Sequence, residues 1–560
     1  MFRKLSAKLV MLSAVASLCP LGPSLVAQTD TFTEVIEVRV VNLEVVVTDG
    51  RGNRVADLEP EDFRLRVDGQ EVPIGYFTEI LDGRAVTDAG AANIAEVPGV
   101  DNGKAVGTSY LVFIDDYFTI TRDRNQILQG ILDSLAFLGP EDRMAVVAFD
   151  GKKLEMLTSW SQSRDQLERA LTAAMGRKTF GASTYFSLIN LDRGFQDEAD
   201  MAAIEAEMLA AGQANPPPPP TPDATVELGL QELVARNVIN QWERDIDRAA
   251  TAVTATLRSF ARPPGRKVML LLSGGWPESP VHFVLNRDIP VIGFNENKGP
   301  RSYDKIHDTA NLLGYTLYPI DVPPQQAGGS SVETGGIPDA TSPLSREREI
   351  HSTLFRLAEE TGGTALLSGN RVAALDRVVE DTRSYYWLGF TPEWQGDDEN
   401  HKIQLDVLKP GLKVRHREGY QDLSRTKEVS FMVESALMFG ELPGSLPLGV
   451  DFGEIKKAGA KRMKLPLEVT IPMDAITMLP RAGEYVANLE LRVASVDKFG
   501  DRSDMPVIPV KLQGPKPQPG QQAVYVTELK LRNVTQDLVV SLHDPVSGTI
   551  LATTRELRRN

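Results

Sequence analysis

The sequence predicts an α/β protein: a doubly wound, mostly parallel sheet flanked by amino-terminal and carboxyl-terminal β-sandwich-like domains. Three observations carry this. In the middle of the chain, apolar runs such as Tyr110-Leu-Val-Phe-Ile-Asp115, Arg143-Met-Ala-Val-Val-Ala-Phe149 and Lys267-Val-Met-Leu-Leu-Leu-Ser273 alternate with amphipathic stretches. Strands buried on both faces read as such unbroken runs. Towards both ends the texture changes to short segments of period-two alternation, as in Phe63-Arg-Leu-Arg-Val67, punctuated by Asp-Gly and Pro/Gly turns. The 560 residues, 42% of them hydrophobic, are enough for several cores, roughly three or four domains.

The amino terminus carries Arg3, Lys4 and Lys8, then an apolar run from Leu9 to Leu18, and Leu25-Val26-Ala27 before Gln28. This is the layout of a secretory signal over residues 1–27, cleaved after Ala27. An uncleaved anchor is the competing reading, but Pro20 and Pro23 break the stretch short of the roughly 20 residues a bilayer span needs. The only cysteine, Cys19, lies inside this segment, and Leu18 is a poor residue to precede a lipidated cysteine. A mature chain without thiols suits an oxidising compartment and has no disulfide framework. Loss of the three cations takes the net charge from −16 to −19, which argues against nucleic acid and anionic lipid as partners. No later segment approaches a membrane span, because Val268–Leu272 is short and adjoins Arg266 and Lys267. The expected location is the periplasm or the cell exterior.

Each element follows in order. Residues 31–82 read as a small β-domain, with strands at Val35–Val47, Phe63–Val67 and on to Ile80, and turns at Asp49–Asn53 and Asp68-Gly69. Asp57–Asp62 could be taken for a calcium loop, yet it lacks the alternating ligands of an EF-hand and is read as a solvated turn. Residues 83–107, rich in Gly, Ala, Asp and Asn, form a linker. The α/β module spans 108–395. Its strands lie at 110–115, 143–149, near Leu154, 267–273 and 315–321, and its helices at 122–137, after Ser163, at 252–260, 303–313 and 347–360. Right-handed crossovers place Asp115 and Ser273 on one carboxyl edge. A helical and Pro-rich insertion occupies 195–262, where Pro216–Pro220 reads as a stiff spacer rather than a ligand for a proline-binding module. Arg383–Phe390, Lys402–Val407 and Leu412–Arg415 are expected to extend the sheet as a strand and a closing hairpin, 396–423. Residues 424–560 read as a separate all-β domain, with strands near 465–471, 483–495, 507–512 and 525–542.

Three stretches share a further pattern. The first is Val46-Val-Thr-Asp-Gly-Arg-Gly-Asn-Arg-Val55 with Leu58–Phe63 and Val67–Gln70. The second is Val112-Phe-Ile-Asp-Asp116 with Asp142–Val146 and Lys267–Gly274. The third is Tyr385-Tyr-Trp-Leu-Gly-Phe-Thr-Pro392 with His401–Ile403, Pro410–Val414 and Gly419-Tyr420. Together they resemble the von Willebrand factor A-related family found in Acidobacteria, over most of the chain. The resemblance implies a divalent cation, Mg²⁺ or else Mn²⁺ or Ca²⁺, held by an Asp-x-Ser-x-Ser motif, a Thr and a second Asp, with one position open to a partner's carboxylate. Hard cations want such oxygen ligands. Carried over, Asp115 matches the first Asp, Thr119 replaces the last Ser, and Thr184 in Gly181-Ala-Ser-Thr184 matches the Thr. Tyr117 stands at the first Ser and Ser273 at the second Asp, so the motif is degenerate. A phenol is a poor ligand, and the lost carboxylate removes a charge that Asp116 would have to supply from the opposite side of the chain. The competing reading has Asp115 simply capping a loop or helix.

The six histidines show no metal-ligand spacing, and neither a Gly-x-Ser-x-Gly elbow nor a phosphate loop is present. No cofactor and no catalytic residue is assigned. The reading is therefore an exported, non-enzymatic adhesion or scaffold protein that docks a protein partner at the carboxyl edge of the sheet. One alternative is a structural envelope protein whose β-domains assemble around an α/β spacer. The other is a hydrolase using Ser273, which ends a strand before Gly274-Gly275 but lacks an assignable base.

Overall fold

A computed structural model describes residues 40–86, 103–184, 224–261, 265–285, 302–322, 342–367, 371–439, 442, 445–459, 461–481, 483–497 and 503–558. The expected signal (1–27), most of the linker and the Pro-rich part of the insertion lie outside them. The described residues form a mixed α/β protein with many β-sheets, divided into two compact units, 40–422 and 423–558.

In the first unit the strands are β1 (Val41–Thr48), β2 (Phe63–Val67), β3 (Gln70–Glu71), β4 (Tyr76–Leu81), β5 (Arg84–Val86), β6 (Thr108–Asp115), β7 (Arg143–Phe149), β8 (Leu154–Ser161), β9 (Arg266–Ser273), β10 (Tyr315–Asp321), β11 (Tyr385–Phe390), β12 (Asn400–Val407), β13 (Lys413–Arg415) and β14 (Gly419–Gln421). Its helices are α1 (Thr121–Asp133), α2 (Arg164–Met175), α3 (Ala224–Ser259), α4 (Pro280–Leu285), α5 (Ser302–Leu313), α6 (Ser342–Glu360) and α7 (Ala374–Thr382).

The central sheet has the order β10-β9-β6-β7-β8. The first four strands are parallel and β8 returns antiparallel at the edge. Alternate residues of β6 face opposite sides. Tyr110, Val112 and Ile114 pack with Ile127 and Ile131 of α1, Leu171 of α2 and Leu375 and Val378 of α7, whereas α3 lies against β6 and β7 and is itself packed by α5. Each fully buried aliphatic side chain here contributes about 1.5–3 kcal/mol. The carboxyl half of α3 buries Trp242, Ile246, Ala249 and Val253, so the stretch read as an insertion ends as part of a sheet-covering layer.

Residues 385–421 do not extend this sheet, contrary to expectation. β11 pairs antiparallel with β1 (Leu43↔Leu388) and β4 (Trp387↔Thr78), and β12 pairs with β2. Sheets β13-β1-β11-β4-β5 and β14-β12-β2-β3 enclose a core of Leu43, Val45, Phe63, Leu65, Tyr386, Leu388, Ile403 and Leu405. The reason is amphipathicity: β12 alternates exposed and buried positions, so it can serve a sheet with one wet face but not one covered on both. A bidentate Arg415–Asp381 pair (2.6 Å each) ties β13 of this layer to α7 of the central one.

The second unit opens with α8 (Arg425–Phe439), which the all-β expectation omitted. Ser424 accepts the Lys427 N–H at its start (3.3 Å), and Val429, Val433 and Ala436 pack on Ala494 and Val539. The strands are β15 (Leu446–Pro447), β16 (Gly449–Phe452), β17 (Lys456–Lys457), β18 (Arg462–Pro472), β19 (Leu479–Arg481), β20 (Glu484–Asp497), β21 (Ile508–Gly514), β22 (Gln522–Arg532), β23 (Gln536–His543) and β24 (Ile550–Leu557). They form two sheets around Leu465, Leu467, Val469, Leu491, Val540 and Leu542.

Candidate functional site at the carboxyl edge of the sheet

Register sets the site. Ile114 is paired with Leu272, so Asp115 and Ser273 follow them side by side, while Asp321 is paired with Ser273. Parallel strands thus deliver three polar side chains to one row.

Asp115 is fully buried and both of its oxygens are engaged. Oδ1 accepts the backbone N–H groups of Tyr117 (3.2 Å) and Phe118 (3.3 Å). Oδ2 accepts the Ser273 hydroxyl (2.7 Å) and the Trp276 indole N–H (3.2 Å). Burial pushes its pKa up to about 7, against the opposing pull of the Ser273, Phe118 and Trp276 hydrogen bonds.

An aromatic lid closes over it. Trp276 stacks on Tyr303 (5.9 Å, 11°), whose hydroxyl donates to the Pro277 carbonyl (2.7 Å). Phe118 meets Trp242 (5.4 Å), which meets Phe283 (4.9 Å). Gly274 permits this closure, because a Cβ there would lie 2.0 Å from the Phe118 carbonyl oxygen.

The structure places the remaining expected residues nearby. Tyr117 turns its hydroxyl to Asp245 of α3 (2.6 Å), whose carboxylate also receives Gln241 (2.9 Å) and Arg248. Thr119 is buried, and its Oγ1 has no partner among the described residues. Thr184 donates to the Phe180 carbonyl (3.0 Å) and also bonds the Tyr117 phenol; its segment docks through Gly181 N–H to Thr119 O (3.0 Å). Asp116 points the other way, into Arg124 (2.6 Å) and Arg177 (2.6 Å), so its charge is neutralised there.

A hard divalent cation would need lone pairs converging in near-octahedral array at about 2.1 Å. Instead, Asp115 Oδ2 faces an indole N–H, a group that can only donate. The Tyr117 phenol and the Thr184 hydroxyl are directed elsewhere, and the Ser273 oxygen, which donates to Asp115, also accepts the Gly275 N–H (3.1 Å). These residues do not fit the cation the family motif holds.

Ser273 is also poorly built as a nucleophile. It is fully buried, and its partners are Asp115 and the Gly275 N–H (3.1 Å). His351 instead bonds Asp321 (3.4 Å). At the opposite end of the sheet, a cavity of about 240 Å³ beside Leu138, Pro140 and Arg164 contains Asp142, whose oxygens are held by the Gly139 and Thr108 N–H groups. Sequence reasoning missed Trp276, Asp245, Arg124 and Arg177. Trp276, directly after the Gly pair, was the one with a local signal.

No protein-family model matches the chain, and none of the curated proteins matches it. Among solved structures, it is similar to the pilus adhesin SpaC from Lactobacillus rhamnosus GG, at 8% identity and TM-score 0.26, over 81% of this chain and 57% of that one. It is similar also to the vWF domain of the type V pili tip protein Mfa5 from Porphyromonas gingivalis, at 11% identity and TM-score 0.23, over 49% and 94%. A von Willebrand factor type A structure from Catenulispora acidiphila gives 10% identity and TM-score 0.21, over 88% and 72%. A calcium-binding mutant of Bacteroides uniformis β-glucuronidase 2 gives 13% identity and TM-score 0.15, over 21% of this chain and 13% of that one. At such scores none of these likenesses bears on mechanism.

Proposed function

We propose that the chain is an exported, non-enzymatic adhesion or scaffold protein of the Acidobacteria-type von Willebrand factor A-related family. Its doubly wound α/β module, within 108–395, docks a protein partner in the periplasm or outside the cell. The supporting observation is the internal satisfaction of Asp115: its four donors come from the protein itself. In this reading the metal-bridged capture of a carboxylate has been replaced by a rigid, desolvated platform that binds through its rim. Glu278 and His282 are exposed there, and Arg356 is paired with Asp304 (2.9 Å) and Glu278 (3.5 Å). Domains 31–82, 396–423 and 424–560 present or space that platform.

A photo-crosslinking residue at Glu278 or His282 should capture a defined envelope or extracellular protein, and one at Glu141, at the far end of the sheet, should not. Equal capture at both ends, or none at either, contradicts the reading.

A structural envelope role has one observation of its own. β22 pairs only with β18 among the described residues and leaves Val524 (49%) and Val526 (55%) exposed. An open strand edge is a surface for strand addition. If Val524→Lys with Val526→Lys abolishes assembly while crosslinking at Glu278 stays silent, this second reading replaces the first.

A further inference from the structure

A second cluster lies in the β-layer of the first unit, away from the carboxyl edge. Asp397, His401 and Asp422 each bring one potential ligand atom within 4.8 Å of the others. β12 supplies His401, the turn ahead of it supplies Asp397, and Asp422 follows β14, the partner of β12 through His401↔Tyr420. Of the three, only His401 falls in the stretches that carry the family resemblance, and none is assigned a role there.

His401 is oriented as a ligand would be. Its Nδ1 bonds Asp68 Oδ2 (2.8 Å), and Asp68 is fixed by accepting the Lys402 N–H (2.9 Å) on its other oxygen. The imidazole lies flat against Tyr420 (5.0 Å, 20°). With Nδ1–H donated to a carboxylate, Nε2 carries the lone pair, and it faces Asp397 Oδ1 at 3.8 Å. A carboxylate that sets the tautomer and angle of a histidine is the usual second layer of a metal site. Asp422 is buried, and its Oδ2 anchors the turn by accepting the Gln395 (2.6 Å) and Gly396 (2.9 Å) N–H groups, so Oδ1 is the oxygen it can offer.

We propose that Asp397, His401 and Asp422 bind one divalent first-row transition cation of the Zn²⁺ or Mn²⁺ class, with Asp68 as the positioning residue for His401. One imidazole and two carboxylates suit that class better than Mg²⁺ or Ca²⁺, whose ligands are oxygens alone. A tetrahedral ion with bonds near 2.0–2.1 Å needs ligand atoms about 3.3 Å apart. The cluster therefore has to contract modestly, a movement available to the exposed Asp397 turn, and water completes the coordination.

Calorimetric titration of the tag-free full chain, stripped with a chelator, tests this. Zn²⁺ should bind one per chain, Mn²⁺ more weakly, and Mg²⁺ without measurable heat. His401→Gln and Asp397→Asn should each lower Zn²⁺ affinity at least tenfold, and Asp68→Asn about tenfold although it donates no ligand. Asp397 is an exposed turn residue, so D397N keeps the test decisive if H401Q does not fold. Absence of Zn²⁺ binding, or an affinity unchanged in both H401Q and D397N, overturns the proposal and leaves His401 as an ion-pair bridge between Asp68 and Asp397.

Discussion

Ser273 donates its hydroxyl hydrogen to Asp115 Oδ2 across 2.7 Å, and neither residue is exposed to solvent. The position that the resemblance aligns with a second carboxylate thus carries a neutral donor that supports Asp115. Ser273→Ala should destabilise the fold by about 1–3 kcal/mol, the penalty for leaving a buried acceptor short of a partner. Ser273→Asp should do worse, by about 3–5 kcal/mol, since two carboxylates would share a dry site. Mg²⁺ should not rescue it while Trp276 and Tyr117 remain. Urea unfolding with and without Mg²⁺ measures both.

The raised pKa of Asp115 makes stability depend on pH in a definite direction. Its carboxyl moves from 3.8 in the unfolded chain to about 7 in the fold, so the native state holds the proton more tightly. The stabilisation is complete below pH 3.8 and is lost as pH rises through 7, an effect of about 4 kcal/mol for a fully buried group. Asp115→Asn should remove this slope between pH 5 and 8, as denaturant titrations at a series of pH values would reveal. A wild-type slope that persists unchanged in D115N contradicts the assignment.

Tyr117 is held from two sides. Its hydroxyl meets Asp245, and a Cβ on Gly151, where φ is +91°, would lie 2.3 Å from its ring. Tyr117→Phe should cost about 1.5–3 kcal/mol through the lost hydrogen bond to a carboxylate. Gly151→Ala should destabilise the wild type more than it destabilises a Tyr117→Ala background, because only the former has a ring to displace. Additive effects in that double-mutant cycle would count against the contact.

Arg124 and Asp116 form an ion pair with no side-chain exposure on either partner. Arg124→Met should cost about 3–5 kcal/mol by leaving the carboxylate only Arg177, read as a lowered thermal midpoint. Double replacement with Asp116→Asn should recover part of that loss.

The central strands were legible because β6, β7 and β9 carry long apolar runs, and the parallel rule then put Asp115 and Ser273 on one edge. The same property misled the reading of β11. Its six residues are all buried, and a continuous run does not say which sheet it enters; the alternation in β12 and its match to β2 held that information. The partners of the site were invisible for another reason. Trp276 lies 161 positions from Asp115, Asp245 lies 128 from Tyr117, and Arg177 lies 61 from Asp116. Such contacts are made by tertiary packing and leave no period in the sequence. Helix α8 did carry local signals, Ser424 as its cap and apolar residues at 429, 433 and 436, but a β-rich neighbourhood obscured them.

The central claim is that the carboxyl edge recognises a protein partner without a bridging cation. Its most direct test is the affinity of the intact protein for the partner captured at Glu278, measured once in excess Mg²⁺ and once in a chelator. We predict the same dissociation constant in both, and the same constant for Thr184→Ala. A tenfold or greater loss of affinity in the chelator, restored by Mg²⁺ and abolished by Asp115→Asn, would contradict it.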